Sequence, residues 1–245
     1  NLHPGERPQA MVQAARELAA TRQAPLLVIT DSSEQGEQLR RELLFYSGNQ
    51  KGFPVYLFPD WETLPYDVFS PHQDIISERL NALYHLPMMR SGILIVPANS
   101  LMQRLPPAAY IQQHSLMLRC GQDLDVDAFR TNLVAAGYQH VESVFEHGEF
   151  AVRGAILDIF PMGSRHPFRI DLFDEEIETL RQFDPESQLS GDKVEEIRLL
   201  PGKEFPLTED GRKHFRTSFR ERFDVDTRDC ALYQDISEGL ASPGI

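Results

Sequence analysis

The sequence predicts an α/β chain of 245 residues in which a parallel-sheet domain comes first and a small, mostly antiparallel α+β domain follows. Two observations predict this class. Over roughly the first hundred residues helical segments alternate with short apolar runs, the strand type that parallel sheets bury on both faces. After Pro106-Pro107 several strand-like runs follow one another, with turn residues between them.

The first region alternates three helices with three strands. Apolar helical spacing marks Met11 to Thr21 and Ile75 to Leu86, and a cap at Ser32-Ser33 starts another helix that runs to Tyr46. The strand-like runs are PLLVIT (25–30), VYLF (55–58) and GILIVP (92–97). This order is typical of a nucleotide-binding-like domain with a helix-covered parallel sheet.

The second region has one capped helix, from Asp125 to Gly137, followed by the strand-like runs GEFAVRG, AILDIFP, FRIDLF and IETLRQF. The stretch LLPGKEFP, from Leu199 to Pro206, contains the proline and glycine residues that are typical of a domain boundary. A charged helix, KHFRTSFRERF, and one more short helix come after it. We therefore expect three parts, at 1–112, 113–200 and 201–245, the last being an incomplete, helical and mixed segment.

Composition narrows the classes of function. The net charge of -13 and the pI of about 5.0 argue against broad phosphate binding, which needs clustered Lys and Arg. The cysteines Cys120 and Cys230 fit neither a metal motif nor a disulfide framework, and no apolar run is long enough to cross a bilayer. These features favour the cytoplasm. The chain starts with Asn1, and we expect it to be part of a longer protein.

The sequence lacks the phosphate-binding motif that nucleotide hydrolysis needs. A phosphate loop of the type GxxxxGK[ST] belongs just before Met11, where the sequence reads HPGERPQA. Histidines such as His140 and His147 lack metal-site spacing, and the acidic run Asp174–Glu176 is typical of a solvated turn. The sequence thus predicts a P-loop-NTPase-like domain with a degenerate nucleotide site, without catalytic, cofactor-binding or metal-binding residues.

The loop WETLPYD, Trp61 to Asp67, holds aromatic side chains between a strand and a helix. Such a loop suits either a base-stacking platform or packing against the core. Packing is the simpler interpretation.

The alternation in FRIDLF separates two faces of a strand. The expected core face carries Phe168, Ile170 and Leu172. The other face carries Arg169, Asp171 and Phe173. In a preceding strand, Arg153 also points away from the apolar side chains. Arginine and aromatic residues together are enriched in protein-binding hot spots. The alternative is an Arg–Asp cross-strand pair with Phe173 packed under a loop, and the chemistry alone leaves both open.

Longer stretches around these residues resemble a known family. HGEFAVRGAILDIFPMGSRHPFRIDLFDEEIETLRQFDPESQ resembles the second domain of UvrB. FPDWETLPYDVFSPHQDIISERLNALYHL and GILIVPANSLMQRL resemble the amino-terminal part of the bacterial transcription-repair coupling factor family, Mfd. The resemblance covers about Leu26 to Ile245 and implies UvrB-like domains 1A and 2 and a truncated start of domain 1B.

The resemblance also implies a function. The module would recruit UvrA to a lesion marked by a stalled RNA polymerase, by binding and without bond chemistry. The motor that uses ATP and Mg²⁺, and the parts that contact RNA polymerase and DNA, would lie outside this chain. An autoinhibitory or structural module and a weak DNA-binding module are the alternatives. The implied UvrA contacts are Arg153, Arg169 and Phe173, with Asp171, Glu175, Arg165 and Arg181 around them.

Overall fold

A computed structural model describes residues 6–48, 52–63 and 69–241, which form seven α-helices and eleven β-strands. The helices are α1 (Glu6–Arg22), α2 (Ser33–Ser47), α3 (Gln73–His85), α4 (Ala108–Gln113), α5 (Val126–Ala135), α6 (Glu209–Arg222) and α7 (Ala231–Glu238). The strands are β1 (Leu26–Thr30), β2 (Val55–Leu57), β3 (Ile93–Pro97), β4 (Leu116–Arg119), β5 (Gln139–His140), β6 (Glu149–Arg153), β7 (Ile156–Ile159), β8 (Phe168–Phe173), β9 (Glu176–Phe183), β10 (Ser190–Val194) and β11 (Glu196–Leu199). None of the helices in these ranges has the length and apolar character needed to cross a bilayer.

The internal contacts divide the chain into two units. Unit 1 consists of Asn1–Trp61 and Asn81–Leu105, and unit 2 consists of Glu62–Leu80 and Pro106–Ile245. The first turns of α3 are therefore counted with unit 2, although they precede most of it in sequence. The division into 1–112, 113–200 and 201–245 stays a prediction.

Unit 1 contains the predicted parallel sheet. Its three strands lie in the order β1-β3-β2, and both strand pairs are parallel. The alternation of helices and strands expected from the sequence is confirmed, and β3 is buried at every position, as its apolar run indicates. The helices α1 and α2 pack on this sheet around a core of Val12, Ala15, Leu43, Leu57, Ile93 and Ile95.

Two of the sequence predictions concern residues that the structure describes only in part. In HPGERPQA, the site of the expected degenerate phosphate loop, residues 3–5 lie outside the described ranges, and α1 begins at Glu6. In the aromatic loop WETLPYD, residues 64–67 also lie outside them. The degenerate nucleotide site and the role of that loop both stay predictions.

Unit 2 is built on a six-stranded sheet in the order β10-β9-β8-β7-β6-β5. The pair β5–β6 is parallel and the other four pairs are antiparallel, so that the predicted mostly antiparallel character is confirmed. A separate antiparallel pair joins β4 to β11. The helix α5 is capped as expected, since the Asp125 carboxylate accepts the Ala128 N–H at 2.9 Å.

One face of the six-stranded sheet forms the main core of unit 2. Ile170 and Leu172 of β8 are buried there, which confirms the core face predicted for FRIDLF. The buried Tyr138 hydroxyl donates to the Leu200 carbonyl at 2.7 Å and accepts from the Met162 N–H at 3.1 Å. Burial raises the pKa of Tyr138 above its ordinary value. The neutral Tyr138 hydroxyl, with its two hydrogen bonds, thus connects the end of β11 to the segment that follows β7.

The first turns of α3 are anchored inside unit 2 by polar contacts. Arg79 is fully buried and donates through Nε to the Glu204 carboxylate at 2.5 Å and through a terminal nitrogen at 3.1 Å. Nearby, the Ser77 hydroxyl accepts the Gly163 N–H at 2.8 Å. Charge-assisted hydrogen bonds of Arg79 thereby attach the α3 turns to the segment that follows β11, and the Ser77 bond attaches them to the segment that follows β7.

The tip of the β8–β9 hairpin is held by the chain segment that precedes α5. The Leu124 N–H donates to the Glu175 carbonyl at 2.6 Å, and the Ile177 N–H donates to the Gln122 carbonyl at 2.9 Å. At the turn, Asp174 adopts a φ of 53°, in the left-handed region that Asp tolerates better than most residues. The hairpin tip is therefore fixed by main-chain hydrogen bonds.

The last part of unit 2 contains the predicted charged helix, α6, and the short helix α7. The Thr208 hydroxyl caps α6 by accepting the Gly211 N–H at 3.3 Å. Aromatic rings of Phe215 and Phe219 pack against Tyr233 of α7, with centroid distances of 5.9 and 5.2 Å. The two helices thus share an aromatic contact, and α6 adds a cation–π contact from Arg220 to Tyr233 at 5.5 Å and a hydrogen bond from Arg216 to the Ser237 carbonyl at 3.2 Å.

Candidate docking face

The face of β6, β7 and β8 opposite the main core carries the residues singled out in the sequence. We call the surface formed by Arg153, Asp158, Arg169, Asp171 and Phe173 the docking face. Across the strands, Asp158 stands opposite Arg169, while Ile156 stands opposite both Arg153 and Asp171. Residues that stand opposite each other share a face. The two arginines predicted from the sequence are thus brought to one side of the sheet.

At the centre of the docking face lies a buried carboxylate that sequence reasoning missed. Asp158 is 1% exposed and accepts hydrogen bonds from Arg153 and from Arg169. Its oxygens lie 2.7 Å from Nε and 3.0 Å from a terminal nitrogen of Arg169. An acidic residue in the otherwise apolar run AILDIFP was the available signal, because a buried carboxylate needs partners.

Arg169 is held on several sides. Its remaining terminal nitrogen donates to the Gln188 carbonyl at 3.3 Å and to the Ser190 hydroxyl at 3.1 Å. Its guanidinium carbon lies 5.1 Å from the centre of the Phe183 ring, within the range of a cation–π contact. The hydrogen bond to Asp158 raises the pKa of Arg169, against the opposing effect of burial. The guanidinium therefore stays charged and fixed in position.

Part of this side of the sheet is covered by a second, small hydrophobic cluster. Val144, Ala151, Phe160 and Phe183 are buried together, and Val141 packs against them. The sequence did not predict this cover. The segment that supplies Val141 and Val144 has neither helical nor strand periodicity, so that no pattern marked its apolar residues as core.

Phe173 lies at the uncovered end of the docking face. Its side chain is 69% exposed, and it stands opposite Glu176 beside the hairpin turn. The alternative left open by the sequence combined an Arg–Asp cross-strand pair with a packed Phe173. The structure contains such a pair, between Arg169 and Asp158, but it leaves Phe173 exposed.

The four further candidates do not all lie together. Asp171 belongs to the face and accepts the Thr179 hydroxyl at 2.6 Å, while Arg181 stands opposite Arg169 on β9. Glu175 is in the hairpin turn beside Phe173. Arg165 precedes β8 and so lies at the other end of that strand from Phe173, roughly 15 Å or more away at about 3.3 Å per residue.

Known proteins similar to this chain match it over nearly its whole length. Residues 116–205 match the family described as UvrB interaction domain. The chain is 47% identical over 239 residues, 97% of its length, to the transcription-repair-coupling factor of Haemophilus influenzae. The proteins of the same name are 46% identical over 229 residues in Escherichia coli and 34% identical over 245 residues in Staphylococcus aureus, which is 94% and 98% of this chain.

In each of these three comparisons the matched region is 20% of the other protein. The chain thus spans about a fifth of the length of the relatives it matches. The docking face, from Arg153 to Phe173, lies within the region that matches the UvrB interaction domain.

Proposed function

We propose, because this chain is a relative of the transcription-repair-coupling factors and contains a region that matches the UvrB interaction domain, that its docking face binds UvrA. The observation that carries the proposal is the placement of Arg153 and Phe173. The Arg153 side chain is 48% exposed and the Phe173 residue is 69% exposed, and both lie on the same side of one sheet within that region. Exposed arginine and aromatic side chains are the residue types that most often dominate the energy of protein interfaces.

The wider role follows from the same relationship. The module would link a stalled RNA polymerase to nucleotide excision repair by bringing UvrA to the lesion. RNA polymerase and DNA would be bound by other parts of the protein, and ATP hydrolysis would take place there. This chain would contribute binding and no catalysis, since its first domain lacks the sequence of a phosphate loop.

The direct test of the proposal is the loss of UvrA affinity on truncation of the exposed residues. Arg153→Ala and Phe173→Ala should each weaken UvrA binding by about thirtyfold, which corresponds to roughly 2 kcal/mol. Titration calorimetry with purified UvrA measures this directly. Because Phe173 is exposed and buries little in the free chain, the melting temperature of Phe173→Ala should stay close to that of the parent.

Phe223→Ala is a matched control, because Phe223 is also exposed, at 54%, but follows α6 outside the region that matches the UvrB interaction domain. It should bind UvrA like the parent. Equal affinity of all three variants would contradict the proposal.

Binding to duplex DNA should be weak by comparison. The chain has 37 acidic and 24 basic residues, so that its average field repels phosphates. Fluorescence anisotropy with a labelled duplex at physiological salt should give no saturable complex at submicromolar protein. A tight complex whose affinity falls steeply with salt would instead favour the DNA-binding alternative.

A further inference from the structure

We infer that Asp158 is a positioning residue of the docking face, and that Arg169 acts mainly through Asp158 while Arg153 and Phe173 meet the partner. The partner would then present one carboxylate beside an apolar side chain. This inference rests on the proposed function, since it concerns how the same face recognises UvrA. It assigns different tasks to two arginines that look equivalent in the sequence.

The hydrogen bonds of Arg169 leave it little to offer a partner. A guanidinium has five N–H donors. In Arg169, Nε and one terminal nitrogen donate to the Asp158 carboxylate. The other terminal nitrogen donates to the Gln188 carbonyl and to the Ser190 hydroxyl. With its side chain only 16% exposed, Arg169 has at most one N–H group left to reach outward. The contacts of Arg169 therefore serve mainly to hold β8 to β7 and to the start of β10.

Arg153 is in the opposite situation. Its one hydrogen bond within the described chain goes from a terminal nitrogen to Asp158, and its side chain is 48% exposed. Most of its donors are thus open to solvent. A guanidinium with an open edge suits a carboxylate, which can accept two parallel N–H groups in a bidentate pair.

Asp158 sets both the direction and the charge of this group. A carboxylate at 1% exposure is stable only when its charge is matched, and here two guanidinium groups match it. The three side chains together carry one net positive charge, located on the exposed Arg153. Because Asp158 holds one end of Arg153, less side-chain freedom is lost when a partner binds the other end.

The side chain of Phe173 supplies the second part of the recognition. It lies beyond Asp171 on β8, and Asp171 shares a cross-strand row with Arg153 through Ile156. A partner that places a carboxylate on Arg153 can therefore cover Phe173 with an apolar side chain from a neighbouring position. The charge pair should be sensitive to salt, and the contact with Phe173 should not be.

The test is a pair of double-mutant cycles for UvrA binding, with Asp158→Asn as the shared variant. Asp158→Asn keeps the size of the side chain but removes its charge, and it should weaken UvrA binding about tenfold or more. In the Asp158→Asn background, Arg153→Ala and Arg169→Gln should each add less than about threefold. Phe173→Ala should still cost about thirtyfold there, because its contact does not depend on Asp158.

A purely structural role for Asp158 predicts a different pattern. Arg153→Ala would then keep its full effect in the Asp158→Asn background, and this result would overturn the inference. A parent chain that does not bind UvrA would instead overturn the proposed function itself. Thermal melts of every variant confirm that binding is measured on folded protein.

Should Asp158→Asn fail to fold, Arg169→Lys addresses the same question. It keeps the positive charge but cannot make the paired hydrogen bonds to Asp158. UvrA binding should weaken several-fold in the parent background and hardly at all when Arg153 is already alanine. Unchanged affinity of Arg169→Lys, or an equal loss in both backgrounds, would contradict the inference.

Discussion

Glu204→Gln should lower the free energy of unfolding of unit 2 by about 3–5 kcal/mol, the usual cost of removing one partner of a buried ion pair. Arg79 is fully buried and Glu204 is 7% exposed, so that water cannot replace the lost carboxylate charge. Glutamine is nearly the same size as glutamate, and the loss therefore reports on charge and hydrogen bonding instead of on packing. Urea denaturation of the whole chain, followed by circular dichroism, measures the effect.

A surface pair provides the control for this prediction. Arg119 and Glu196 form an ion pair at 2.9 Å in which the two side chains are 66% and 51% exposed. Glu196→Gln should change the free energy of unfolding by less than about 1 kcal/mol, because exposed pairs contribute little. Equal effects of the two substitutions would mean that the Arg79–Glu204 pair is more accessible to water than the structure shows.

Leu172→Ala should destabilise unit 2 by about 2–5 kcal/mol, the range found when a buried leucine is truncated. Leu172 is 8% exposed on the core face, opposite Ile177, whereas its neighbour Phe173 is 69% exposed. The two substitutions therefore separate stability from recognition at adjacent positions. Thermal unfolding should show a lower melting temperature for Leu172→Ala and a nearly unchanged one for Phe173→Ala.

Measurements of UvrA binding should show the opposite contrast between Leu172→Ala and Phe173→Ala. Leu172→Ala, measured at a temperature where it is folded, should retain most of its UvrA affinity, since its side chain points away from the docking face. If Leu172→Ala were as stable as the parent, or if Phe173→Ala unfolded the domain, the assignment of the two faces of β8 would be wrong.

The faces of β8 could be predicted from the sequence because a strand has a fixed period of two. Once Ile170 and Leu172 are placed in the core, Arg169 and Phe173 must lie on the other side. The alternating segments of unit 1 were predictable for a similar reason, since each apolar run is bounded by helical periodicity. Local patterns of this kind carry information that does not depend on distant parts of the chain.

The contacts that the sequence did not reveal are those between distant segments. Arg79 and Glu204 are 125 residues apart in the sequence, and neither belongs to a motif that predicts which residue it pairs with. The place of Asp158 at the centre of the docking face depends on the register of β7 against β6 and β8, which hydrophobic alternation alone does not specify. Sequence reasoning thus placed Arg153 and Arg169 on one side of the sheet, as observed, and missed the residue that joins them, while their role in binding stays a prediction.

The attachment of the β8–β9 hairpin tip has a consequence for how recognition can diverge. Main-chain groups of Gln122 and Leu124 hold the tip at Ile177 and Glu175, and these bonds need no particular side chain at the turn. Side chains at Phe173 and Glu175 can therefore be exchanged while the backbone that displays them stays in place, whereas Asp174 has a left-handed φ of 53° that restricts its replacements. Under the proposed function, point substitutions here would change the choice of partner without a change of fold.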